Sequence, residues 1–288
     1  MPALQYGIKL TVADKAFARE VDRVAGSLNT VAGIHVKVDT GMGRIGFPLQ
    51  SVIKDIIEVS NLKNIKLEGI FSHFSDSDSK DKTFAFEQLK LFQGVCTTLA
   101  ENGLNIPLKH MANSGAIMDL PVSYMDMVRP GIMLYGYPPS REVTSTIGIE
   151  PVMTLISRIN FIKRFHPGEP VSYGRTHIVE KETCIAVLPI GYADGYSRRL
   201  SGKGRVIIRD HFYPQVGRVT MDQIMIDVGP NPQFGPGEPV IVMGRSSSLI
   251  FDAFDMADII GTISYEVTCN INKRVPRVYC YEETSDCP

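Results

Sequence analysis

The 288-residue sequence predicts an α/β half followed by an all-β half. Three observations predict it. Over roughly the first 135 residues, short β-type runs alternate with stretches of helical period, the pattern of a parallel sheet with crossover helices. Each β-type run before a crossover ends in a polar or glycine-containing turn, such as DTGMGR, SHFSDSD, NSG and RPG. From Pro151 the helical period disappears, and β-branched runs punctuated by Gly and Pro replace it, as in an all-β module.

Residues 6–12 (YGIKLTV) form a short strand-like run. Residues 13–29 have helical spacing, with Ala16, Phe17, Val21, Val24 and Leu28 on one face. Residues 34–38 (IHVKV) alternate as a strand, and residues 49–59 return to helical period. Residues 65–71 read as a strand. Residues 81–102 read as a longer amphipathic helix with Phe84, Leu91, Val95 and Leu99 facing inward. Residues 108–111 and 125–128 are expected as the last two strands of this half. About five strands and about four helices fall short of the eight strands of a closed barrel. Residues 1–140 are therefore expected to form a partial (β/α)8 barrel of the TIM type, about five of eight strands, with polar groups gathered after the strand ends.

Residues 137–149 are rich in Pro, Ser and Thr and read as a linker, with a boundary near residue 145. Residues 145–288 are expected to form a C-terminal β domain. Its strands are placed at 152–161, 171–173, 183–188, 204–208, 215–219, 224–228 and 239–243. A helix is placed at 250–260, capped by Asp252 or Asp255.

A formal net charge of −1 offers nothing to a nucleic acid or an anionic membrane. The five cysteines are odd in number, widely spaced and without a C-x-x-C pair, which points to free thiols in a reducing compartment. No apolar run approaches the ~20 residues of a membrane span. The opening MPALQYGIKL lacks the basic-then-apolar order of a secretory signal. The expectation is a cytoplasmic protein with a small-molecule partner and no metal.

Within HMANSGAIMDLPVSYMDMVRPGIMLYG (residues 110–136), two turns stand at the ends of neighbouring strands. Asn113-Ser114-Gly115 opens a helix, so amide N–H groups and a hydroxyl face one point, as a phosphate requires. Arg129-Pro130-Gly131-Ile132 adds a permanent cation. Alone, each also reads as a helix cap or a surface arginine; together they point to a ligand site. In VKVDTGMGRIGF (residues 36–47), Lys37 and Asp39 share a strand face and Arg44 follows across a Gly-rich turn. That is either a solvated pair or an arginine held to meet a carboxylate or phenolate. His73 closes its strand between Phe71 and Phe74, as a structural histidine or one at the barrel mouth. GYADGYSR, VSYG, GRVTMDQ and GTISYE place tyrosines and a Met-Asp pair in turns or at strand ends, and each alone is a weak signal.

In this order, VKVDTGMGRIGF, FSHFSDSD, HMANSGA, DMVRPGIMLYG, GEPVSYGRT, LPIGYADGYSR, VGRVTMDQIMIDV and ISYEVTCNINKRVPRVY resemble the alanine racemases, fold-type III pyridoxal-phosphate enzymes. The resemblance spans residues 34–279 and implies a (β/α)8 barrel followed by a β domain. It implies that Ser114, Gly131, Ile132 and Tyr265 hold the cofactor phosphate, with Asn113 beside them. Arg129 would meet the pyridine nitrogen, with His73 packed near the ring. Tyr173, supplied across a homodimer interface, would be one of two acid/base groups. Arg44 and Met221 would contact the substrate carboxylate. Lys37 matches a lysine carbamylated in many members, and Tyr192 would line the entry path. The implied reaction interconverts L- and D-alanine, the latter for peptidoglycan.

The chemistry suits these residue types. The pyridoxal ring takes up the electrons left when the Cα proton departs. An arginine has no proton to give the ring nitrogen at neutral pH, which limits side reactions. A tyrosine of ordinary acidity is a poor base at neutral pH, and a cation such as the His73–Arg129 pair would stabilise its phenolate.

The family's other base, its Schiff-base lysine, lies in a string like VVKANAYGHG, and no such string occurs in this sequence. Lys9 and Lys37 lack that context. Met1 aligns near the family's fourth barrel strand, so the sequence resembles a member lacking about three strand–helix units. This implies that the chain alone loses cofactor affinity and one proton-transfer face, although it could complete a longer partner's site. A non-catalytic remnant that keeps the dimer interface, and a serine or broad-specificity racemase, stay open as alternatives. A basic-amino-acid decarboxylase of the same fold type is disfavoured, because those enzymes hold a protonated ring nitrogen with a carboxylate where this sequence has Arg129.

Overall fold

A computed structural model describes residues 2–145 and 147–280. The chain divides into two compact units, Met1–Ile149 and Glu150–Pro288.

In the first unit the order is α1 (Pro2–Gln5), β1 (Leu10–Val12), α2 (Lys15–Ser27), β2 (Ala32–Asp39), β3 (Phe47–Pro48), α3 (Val52–Ser60), β4 (Ile65–Phe71), α4 (Thr83–Glu101), β5 (Leu108–His110) and α5 (Ser114–Asp119). The strands form a parallel sheet in the order β1-β2-β4-β5, with the short β3 beside β2. This is the partial (β/α) barrel that the alternating pattern predicts. Strand alternation sorts the side chains of β2. Ile34, Val36 and Val38 are fully buried in the cluster shared with the helices, which sends His35, Lys37 and Asp39 to the opposite face. Helix α2 starts because the Asp14 carboxylate accepts the Phe17 N–H at 2.8 Å.

Three expectations for this unit fail. On α4 the buried residues are Ala85, Gln88, Leu89, Phe92, Val95 and Leu99, a stripe of helical period, while Phe84 and Leu91 are exposed. On α2 the buried residues are Ala18, Val21 and Ala25, and Phe17 lies outside. In both helices a large apolar side chain drew the assigned stripe off the true one. The strand expected at 125–128 is reduced to one bridge, between His110 and Met127. Met125 adopts a left-handed φ of 51°, which no strand tolerates. The Asp126 carboxylate then accepts the Lys109 N–H at 2.8 Å, where a ladder carbonyl would stand.

The second unit contains β6 (Leu155–Arg158), β7 (Phe161–Phe165), β8 (Pro170–Val171), β9 (His177–Ile178), β10 (Thr183–Leu188), β11 (Arg205–Ile208), β12 (His211–Val216), β13 (Ile224–Asp227), β14 (Pro239–Arg245), β15 (Ile250–Phe251), α6 (Ala253–Ile260) and α7 (Ser264–Asn270). Eight strands form an antiparallel sheet, β15-β14-β11-β12-β13-β10-β7 with β6 on β14, and β8–β9 is a separate ribbon. The run expected as one strand at 152–161 is two. Ile159 N–H donates to Glu238 O and Asn160 N–H to Val187 O, so the chain changes partner strand between them. Helix α6 begins with the expected cap: Asp252 accepts from the amides of Phe254 and Asp255, and Asp255 answers the Asp252 amide. Helix α7 was not anticipated. Cys96, Cys184 and Cys269 are free, whereas Cys280 is disulfide-bonded, against the expectation of thiols throughout. No described helix is long and apolar enough to cross a membrane.

Candidate active site

The exits of β2, β4 and β5 gather a basic, partly buried cluster. Arg129 follows the single bridge after β5, and its backbone N–H donates to Ala112 O at 2.9 Å. Its guanidinium is held by acceptors from two neighbouring strand ends. Nη2 donates to Ser72 O at 2.7 Å and to Met111 O at 3.2 Å, and Nη1 donates to His110 Nδ1. His73 Nδ1 stands 3.5 Å from Nη2, and the Phe71 ring centroid 5.1 Å from the guanidinium carbon. A planar group with donors only and several fixed acceptors is locked in place.

That lock sets the neighbouring tautomers. The arginine offers no lone pair, so His110 Nδ1 is the acceptor and Nε2 bears the proton. Nε2 then donates to His35 Nδ1 at 2.8 Å. Phe71 stacks on the His110 ring with centroids 4.9 Å apart. Gly69 is required beside His35, because a Cβ there would lie 2.4 Å from the His35 ring nitrogen. Burial pushes the His110 imidazole down to about 3, and the Arg129 charge and His35 add to the effect. His73 is pushed down to about 4 by burial, then by Arg129, Arg44 and Lys37. Arg129 itself falls to about 10 through burial and stays cationic at neutral pH. The positive charge of the His73–Arg129 pair therefore belongs to Arg129 alone.

Lys37 is no solvated partner of Asp39. It is 2% exposed and its ammonium donates to Val38 O at 2.9 Å. Burial brings it to about 8, with Asp39 opposing the drop and Arg129 and Arg44 reinforcing it. The Asp39 carboxylate is turned instead to the amides of Gly41, Met42 and Gly43, at 3.0–3.2 Å. It thereby shapes the turn that carries the exposed Arg44.

Beside this cluster lie the groups expected to take a phosphate. Ser114 is buried and its Oγ accepts the Gly131 N–H at 2.8 Å, which leaves the hydroxyl proton free to donate. Asn113 caps α5 by accepting the Ala116 N–H at 3.1 Å, and its side-chain oxygen also accepts from Ser77 Oγ at 2.6 Å. The N–H groups of Ser114, Gly115 and Ile132 donate to no other described residue. Buried amides without acceptors, beside a hydroxyl with a free proton, fit the oxygens of a phosphate. With only six residues, α5 contributes more through these amides than through its dipole. The residues present therefore fit the phosphate and the ring-nitrogen partner of pyridoxal phosphate.

In the second unit Tyr173 is 72% exposed at the tip of the β8–β9 ribbon, and Met221 and Tyr192 are also exposed. Two backbone bonds join the last two: Tyr192 N–H to Thr220 O and Ala193 N–H to Met221 O, each 3.0 Å. Arg274 bridges the same loops, with Nε on Asp194 at 2.8 Å and Nη2 on Asp222 at 2.6 Å. Tyr265 is half-buried on α7. Sequence reasoning gave no role to Arg274, although its RVPR string carries part of the resemblance, and did not pair His110 with His35. The repeated basic residues of KRVPR and the histidine opening HMANSG were the available signals.

Residues 1–139 match the family model "Alanine racemase, N-terminal domain", and residues 152–279 match "Alanine racemase, C-terminal domain". Alanine racemase 1 of Clostridium acetobutylicum is 47% identical over 278 residues, covering 96% of this chain and 72% of the relative. The alanine racemase of Clostridium perfringens strain SM101 is 48% identical over 274 residues, covering 94% and 71%. Among solved structures, alanine racemase of Clostridium difficile 630 superposes with a TM-score of 0.91 at 38% identity, covering 97% of this chain and 72% of that one. The Streptomyces coelicolor A3(2) enzyme gives 0.92 at 32%, covering 98% and 75%. The chain belongs to the alanine racemase family of pyridoxal-phosphate-dependent isomerases, with a (β/α)-barrel unit followed by the family's C-terminal β domain.

Proposed function

We propose that this chain carries the phosphate cradle, the ring-nitrogen arginine and one of the two proton-transfer groups of a racemase that interconverts L- and D-alanine. The observation that carries this reading is the Arg129 guanidinium, held by Ser72 O, Met111 O and His110 beside the Ser114–Gly131 pair. When bound, pyridoxal phosphate supplies an electron sink for the bond broken at Cα. The residues do the rest. Ser114, Gly131 and Ile132 bind the phosphate, and Asn113 holds the shape of their turn. Arg129 donates to the ring nitrogen without protonating it, because its proton stays on the guanidinium well above neutral pH. His73, kept neutral, packs beside the ring without adding a second charge.

Tyr173 exchanges the Cα proton from a partner subunit, in a homodimer with shared sites. Arg44 and Met221 orient the substrate carboxylate, and Tyr192 lines the entry path. Lys37 is the counterpart of the family's carbamylated lysine; its lowered pKa provides the neutral amine that reacts with carbon dioxide. A cytoplasmic enzyme supplying D-alanine for peptidoglycan fits this assignment.

Racemisation by these residues alone is proposed to be weak, since no lysine in an AYGHG context occurs among them. A second reading is that the chain supplies Tyr173 and Met221 to another subunit's site. The test combines two measurements. The chain is incubated with pyridoxal phosphate, reduced with borohydride and assayed on L-alanine and L-serine. It is also mixed with a full-length relative whose own counterpart of Tyr173 is phenylalanine. Activity only in the mixture supports the second reading. A covalent adduct with racemisation by the chain alone refutes the claim of weak activity, and no activity in either arm refutes the racemase reading.

A further inference from the structure

The segment that presents Tyr173 is strained. Three of its four residues have positive φ: Ser172 at 66°, Gly174 at 70° and Arg175 at 51°. Ser172 pairs its φ with a ψ of −177°, a region of the map that only glycine visits without strain. Such a conformation persists only where the surroundings over-determine it. Here Val171, 3% exposed, anchors one side in the cluster with Val179, Ile185 and Val216. On the other side, the Ser172 hydroxyl donates to Arg218 O at 2.7 Å. The chain can approach this closely because residue 217 is glycine; a Cβ there would lie 2.8 Å from both Ser172 Cβ and Val171 O. Arg218 leads within three residues to Met221, so the bond ties the tyrosine tip to the loop nominated for the substrate carboxylate.

We propose that Ser172 is a positioning residue, whose strained backbone and hydroxyl bond to Arg218 fix Tyr173 in the exposed orientation from which it transfers a proton. This rests on the role of Tyr173 proposed above. Relaxation of Ser172 toward an ordinary β conformation turns the peptide plane before Tyr173 and redirects the phenol, while the fold of the unit is unchanged. A serine that only adds stability makes a different prediction. Ser172→Gly removes strain and bond together, and would then behave like the wild type.

The experiment compares Ser172→Ala, which keeps the strain and loses the bond, with Ser172→Gly, which loses both, in the full chain. Ser172→Ala is expected to unfold at a lower temperature than Ser172→Gly. Both are expected to speed hydrogen exchange at residues 172–176 by about ten-fold or more, because the tip is no longer held. In mixtures with the full-length relative lacking its own tyrosine, both are expected to lower kcat by about ten- to a hundred-fold with KM little changed, the mark of a misplaced group. Wild-type exchange and wild-type kcat in Ser172→Gly would overturn the proposal. Should the unsubstituted chain give no activity in the mixture, the racemase reading fails, and the exchange comparison still decides whether Ser172 holds the tip.

Discussion

Acidification is the perturbation that reads the candidate site most directly. His73 and His110 are held neutral in the folded chain at about 4 and about 3, by burial and by the charge of Arg129. Unfolded histidine titrates near ~6.5. Both folded values are depressed, so the unfolded chain binds the extra protons. Stability from these residues is therefore fully present above pH ~6.5 and is lost as pH falls toward the folded values. Each histidine costs at most about 1.4 kcal/mol per pH unit in that window. From pH 6.5 to pH 5 the pair removes about 4 kcal/mol as an upper bound, and about 2–3 kcal/mol once solvent screening of the half-buried His73 is allowed for. That is a large part of a typical folding free energy of about 5–15 kcal/mol. Urea unfolding at pH 7.5, 6.5, 5.5 and 5.0 measures it, in a window above the range where ordinary carboxylates titrate. His110→Asn should flatten the profile by roughly half. A wild-type curve level from pH 7.5 to 5.0 would refute the claim that Arg129 and burial hold these rings neutral.

Other outcomes follow from the same contacts. Arg129→Leu strands Ser72 O, Met111 O and His110 Nδ1, and should cost about 3–5 kcal/mol in denaturant unfolding. In the same variant the His110 ring nitrogen resonances should titrate closer to neutral pH. Ser114→Ala removes the acceptor of the Gly131 N–H and should weaken pyridoxal-phosphate binding by about ten-fold, read from an absorbance titration. Arg274→Ala should speed amide exchange at Tyr192 and Ala193, because the Asp194–Asp222 bridge is lost while the strands stay paired. Asp252→Ala removes the cap of α6 and should cost about 1 kcal/mol in urea unfolding without altering cofactor affinity.

Periodicity and turn chemistry made much of the fold legible. The β2 and β4 runs, the Asp252 cap and the β-rich second half all follow from short-range rules. The failures have physical reasons. Which aromatic of α4 faces inward is decided by packing, and Phe92 is buried where Phe84 is not. The break at Met125 depends on one left-handed residue that composition does not announce. At the site, motif order nominated Arg129, Ser114 and Gly131, which the fold does bring together. The partners of Arg129 were not legible, because two of them are backbone carbonyls and the third, His110, is separated from it by 19 positions. The fate of Lys37 was equally hidden: burial behind Phe71 and Val38, and not pairing with Asp39, sets its chemistry.

The central claim is that a fixed, non-protonating guanidinium faces the cofactor's ring nitrogen. Nitrogen-15 NMR of the chain with pyridoxal phosphate labelled at that nitrogen measures it directly. The account predicts the shift of an unprotonated pyridine from pH 6 to pH 8, moving on Arg129→Glu. A pyridinium shift in the wild-type chain, or one indifferent to Arg129→Glu, would contradict it.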